Sequence, residues 1–130
     1  MKKLDINTFD NWLKIYFKAW ENGDPKLITD TFTKDGKYNE TPFTGQMKGK
    51  TEIYKYWEEG AQQVQENVST NYKIIVVKEN KGYTKWQAQF DRKGKGIHVK
   101  LDGIMEVIFN DDLQVKIFNE WWHRQEEKIN

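Results

Sequence analysis

The sequence predicts an α+β domain in which three amino-terminal helices pack on a strongly curved antiparallel sheet and leave a cone-shaped hollow between the layers. Three observations point there. Apolar residues keep helical spacing as far as Val64; from Asn71 onward β-branched and aromatic residues fill runs of strand length; and turn signals separate those runs. With 130 residues, a single domain spanning 1–130 can bury a core without a metal or disulfide.

Phe9, Trp12, Leu13, Tyr16, Phe17 and Trp20 fall on one helical face, and Asn22-Gly23 stops that helix. Asp24-Pro25 supplies an N-cap and a first-turn proline for a short second helix, with Leu27, Ile28 and Phe32 inward and Lys34-Asp35-Gly36 as its end. Residues 38–41 read as a short strand halted by Pro42, which cannot donate to a ladder. Thr51 is the expected cap of a third helix, with Ile53, Tyr56, Trp57, Gly60, Ala61 and Val64 inward and the two small residues in close approach to the sheet. The remainder reads as a four-strand antiparallel meander broken at Asn80-Lys81-Gly82, 93–96 and 110–112. In its third strand Val99, Leu101, Gly103, Met105, Val107 and Phe109 alternate with a mixed set, so one face is buried.

Composition narrows function. With 21 basic and 20 acidic residues interspersed, no face is built for nucleic acid or an anionic membrane. No cysteine means no thiolate nucleophile, disulfide or cysteine zinc site. The start MKKLDINTFDNW resembles neither a secretory signal nor an anchor, so a cytoplasmic, membrane-free protein is expected. Aromatic residues make up 15% of the chain against only two His, which favours an aromatic core or an aromatic-walled cavity over a histidine metal site.

The order of elements, with YFKAWENGD at 16–24, TPFTGQMKGKTEIYKYW at 41–57 and LDGIMEVIFNDDLQVKIFNEWWHRQE at 101–126, resembles the nuclear transport factor 2-like superfamily and, within it, the SnoaL-like proteins. That resemblance implies a cystatin-like cone, a homodimer, and a pocket for a small apolar or aromatic molecule. It does not choose between catalysis without a cofactor (isomerisation, dehydration or hydrolysis) and binding alone, since this fold hosts both. Similarity to ketosteroid isomerase within the superfamily implies that Tyr16 is a phenolic hydrogen-bond donor. The carboxylate base of that enzyme would fall on Thr41, one residue after Glu40, and its second acid would fall near Met105, so steroid isomerisation is not implied.

Two carboxylates are candidates for proton transfer. Glu40 is either a base at the mouth of the hollow or a solvent-facing residue of an edge strand, and a bulge would decide whether it or Thr41 faces inward. In KIFNEWWHR, alternation groups Phe118, Glu120 and Trp122 on one face, so Glu120 is a carboxyl between aromatics, held there by function or by a structural hydrogen bond. Trp20, Trp57, Trp86, Met105, Phe118 and Trp122 are the expected ligand-contacting residues, with core packing as the competing role for the same side chains. His98 and His123 fall away from the Glu120 face, and an acid–base pair with either is disfavoured.

Overall fold

The computed structural model describes residues 2–129. Helix α1 (Ile6–Asn22) opens with the Asp5 carboxylate accepting from the Thr8 N–H at 2.7 Å, and closes at Gly23 in the left-handed conformation, φ 62°. Asp24 caps α2 (Pro25–Thr29) by accepting from the Leu27 N–H at 3.1 Å. The chain then runs β1 (Phe32–Asn39), β2 (Gln46–Lys48), α3 (Gly49–Trp57), a π-helical turn (Glu58–Gln62), β3 (Gln65–Lys78), β4 (Lys81–Arg92), β5 (Ile97–Phe109) and β6 (Val115–Lys128).

These strands form one curved, unclosed sheet in the order β2-β1-β6-β5-β4-β3. The predicted α+β architecture and its four-strand meander are present. The sheet is mixed, because β1 lies parallel to β6 while every other pair is antiparallel.

Three local expectations are corrected. The second helix stops at Thr29, so Phe32 points inward from β1 instead of from a helix. The Thr31 hydroxyl bonds back to the Ile28 carbonyl, and the Val115 N–H donates to the Thr31 carbonyl, so the chain is captured by β6 two residues after the helix. The third helix begins at Gly49, before Thr51; its first turn is held by the Glu52 carboxylate, which accepts from the Lys48 N–H at 3.0 Å. Gly60 does not mediate close packing on the sheet: a Cβ there would meet only the Tyr56 ring, at ordinary contact distance. The tight approaches are at Gly82, under the Phe9 ring, and at Gly103, under Trp86.

Helix α1 lies across the inner sheet face, where Phe9, Leu13, Tyr16 and Phe17 meet Trp86 and Phe90 of β4, Met105 and Phe109 of β5, and Phe118 of β6. Burying side chains of this size contributes about 1.5–3 kcal/mol each. At the far edge, β3 carries two register shifts, one between Glu66 and Ser69 and one between Ile74 and Val76.

A candidate carboxyl site in the inner cavity

Alternation along β1 and β6 builds the site. Tyr38 pairs with Phe118 in register, and their rings stack with centroids 4.3 Å apart. Strand β1 carries a register shift against β6 between Phe32 and Lys37 and pairs regularly from Lys37 to Asn39. Two residues beyond Tyr38, just past the end of β1, lies Glu40, and two beyond Phe118 on β6 lies Glu120; both line the same inner cavity. Thr41 is spent on the turn that follows, its hydroxyl accepting from the Thr44 N–H at 3.3 Å. The turn is closed by the Glu40 N–H donating to the Gly45 carbonyl at 3.2 Å.

Glu40, Glu120 and Tyr16 all line a cavity of about 170 Å³ between the helices and the sheet. Trp20, Trp57, Trp86 and Trp122 form its aromatic walls, and the π-helical turn adds Gly60 and Ala61. Met105 and Phe118 do not line it: both are fully buried beneath, Phe118 stacked against Tyr16 and Tyr38. Tyr38, Tyr56 and Gln65 also line the cavity and were not singled out from sequence. The signal for Tyr38 was available in its two-residue offset from Glu40.

Several walls are fixed by hydrogen bonds. The Trp122 Nε1–H donates to the Glu40 carbonyl at 3.0 Å, and the Trp20 Nε1–H to Gln65 Oε1 at 2.6 Å. The hydroxyls of Tyr16 and Tyr38 share one hydrogen bond of 3.1 Å, either serving as donor. Tyr56 lies against the Glu40 carboxyl, and Tyr38 against that of Glu120.

Glu120 is 5% exposed, and its Oε2 has no hydrogen-bond partner. Burial raises its pKa well above the ordinary glutamate value, Glu40 raises it further by charge repulsion, and the neighbouring Tyr38 opposes both in part. Burial likewise raises the phenols of Tyr16, Tyr38 and Tyr56 well above 10, reinforced in each by the charge of Glu120. Burial thus favours the protonated forms at the inner end, while the half-buried Glu40 stands at the edge as a second carboxyl.

The histidines lie on the other sheet face. His98 bonds Asp91 Oδ1 through Nδ1 at 2.7 Å, and His123 is exposed. A larger groove of about 430 Å³ on that face is lined by polar side chains including Gln87, Gln89, Lys100 and His123. It has no aromatic wall and no paired carboxyls, so the smaller inner cavity is the chemically organised one. Among the described residues, no cluster of three metal-ligating side chains occurs, and no helix is long and apolar enough to cross a membrane.

The SnoaL-like domain model matches residues 13–117, most of the chain. The chain belongs to the SnoaL-like domain family. Its sequence finds no match among curated proteins. Among solved structures, this SnoaL-like chain superimposes on the epoxide hydrolase/cyclase-like enzyme SalBIII of pyran ring formation in the polyether salinomycin, with a TM-score of 0.76 at 13% identity over 92% of this chain and 93% of that one. A candidate isomerase from Bacillus subtilis gives a TM-score of 0.75 at 14% identity, covering 90% of this chain and 87% of that one. At such identities the likeness speaks for the fold.

Proposed function

We propose that this SnoaL-like domain binds a small apolar or aromatic molecule in its inner cavity and catalyses a cofactor-free proton transfer there, of the kind an isomerisation, dehydration or hydrolysis requires. The observation that carries this reading is a buried, incompletely bonded carboxyl, Glu120, sharing an aromatic cavity with a second carboxyl, Glu40, and a tyrosine pair. Glu40 takes a proton from the substrate. Glu120 and Tyr16, both proton-bearing, stabilise the oxygen on which negative charge develops, and Glu40 then returns the proton to a different position.

The reading is tested by following exchange of the α-protons of 2-methylcyclohexanone in deuterated buffer by NMR. Catalysed exchange is expected, and Glu40→Gln should lower it at least about 100-fold, the usual scale of a general base. Equal rates with and without protein would refute catalysis and leave a binding domain.

A homodimer through the outer sheet face is a second reading. Ile104 of β5 and Trp121 of β6 sit opposite each other in register and are 44% and 49% exposed, and the half-buried pair Ile108 and Ile117 continues the apolar stripe on the same face. This interaction role is compatible with a ligand site on the inner face. The expected cytoplasmic location stays part of the proposal.

A further inference from the structure

Resting on the reading of the inner cavity as a ligand site, we propose that it takes a molecule built on a single six-membered ring with one oxygen substituent, and excludes fused rings. Volume sets the limit. The cavity holds about 170 Å³, close to the roughly 150 Å³ hole that accommodates one benzene ring and well short of the roughly 300 Å³ at which pockets for drug-sized ligands begin.

The walls have little room to retreat. Trp86 is 1% exposed, packs against Trp20 with centroids 5.7 Å apart, and lies so close to the Gly103 backbone that a Cβ there would come within 2.9 Å of its Cζ2. Trp57 is 3% exposed and meets the Tyr16 ring edge-to-face at 5.3 Å. Trp20 and Trp122 are each held by an indole hydrogen bond. Rigid aromatic faces suit a flat, apolar ring.

One end of the cavity is polar and short of partners. Glu120 Oε2 lacks a hydrogen bond, as do the buried indole N–H groups of Trp57 and Trp86 in the walls, so a ring oxygen substituent within reach of them gives a buried polar group the partner it lacks. The site thus selects by size first and by one oxygen second.

The test is titration of the full chain with 4-methylphenol and with 2-naphthol, following the indole N–H resonances of its tryptophans by NMR. The one-ring compound should bind at least tenfold more tightly than the two-ring compound. Ala61→Phe, which fills the cavity from the π-helical turn, should weaken 4-methylphenol at least tenfold, whereas Trp122→Ala, which enlarges it, should bring 2-naphthol level with or ahead of 4-methylphenol. If 2-naphthol binds the native chain as tightly as 4-methylphenol, the one-ring limit is overturned while the cavity reading stands. If neither compound shifts an indole resonance of the native chain, both are overturned.

Discussion

Gly103→Ala tests whether the wall of the cavity is as tightly set as its contacts imply. Gly103 pairs with Trp86 on one side and Trp122 on the other. A Cβ built at this position meets the Trp121 carbonyl oxygen, and lies 2.9 Å from both the Trp122 Cβ and the Trp86 Cζ2. The nearest obstacle is backbone in a central strand, which cannot swing aside. Overpacking a buried site costs about 1–3 kcal/mol, and a backbone clash belongs at the upper end, near 3 kcal/mol. For a domain of this length that lowers Tm by roughly 10 °C. Thermal and denaturant unfolding should show this loss, together with weaker binding of any cavity ligand as Trp86 is displaced. Gly94→Ala is the control for backbone strain: Gly94 has a φ of +70° but open space around it, so its cost should stay near 1 kcal/mol. A Gly103→Ala chain within about 0.5 kcal/mol of the parent would refute the reasoning, because a wall so readily moved could not limit ligand size.

Glu120→Gln should change the pH dependence of stability. Folding raises the Glu120 pKa, so its protonated form is favoured in the folded state; that contribution is full below the ordinary glutamate value of 4.5 and is lost as pH rises through the higher folded value. The variant should gain stability relative to the parent as pH increases above about 4.5, and parallel urea curves at all pH values would count against a buried, proton-bearing Glu120. Trp121→Glu puts a charge in the centre of the outer apolar pair, so sedimentation should show a dimeric parent become monomeric with its thermal stability otherwise little changed. A monomeric parent would rule out the outer-face dimer.

Much of the site was legible because strand alternation is strict. The two-residue steps from Phe118 to Glu120 to Trp122 placed the carboxyl on the inner face from sequence, and helical spacing placed Tyr16 and Trp20 opposite. Glu40 was harder, since comparison with a relative directed attention to Thr41, whereas its own neighbour Tyr38 already fixed the face. Phe32 was misassigned because α2 and β1 join with almost no loop, and capture by β6 is a contact across more than eighty residues that no local pattern records. The same holds for the parallel β1–β6 pairing. Met105 and Phe118 show another limit: alternation says that a residue is inside, but not whether it borders empty space or lies under another ring. The π-helical turn at Glu58–Gln62, which brings Ala61 to the cavity, has no periodic signature of its own.

The two register shifts in β3 bear on how the molecule behaves in company. As the outermost strand, β3 offers an unpaired edge of 14 residues that includes Ile74, Ile75, Val76 and Val77, with Ile75 and Val76 more than 45% exposed. A flat strand of that composition would be a template for edge-to-edge stacking and fibril growth. The irregularity between Ile74 and Val76 interrupts the ladder inside the most apolar run, and exposed Lys73 and Lys78 bracket it with like charge. The open sheet that leaves room for a cavity therefore carries, in its last strand, its own protection against aggregation.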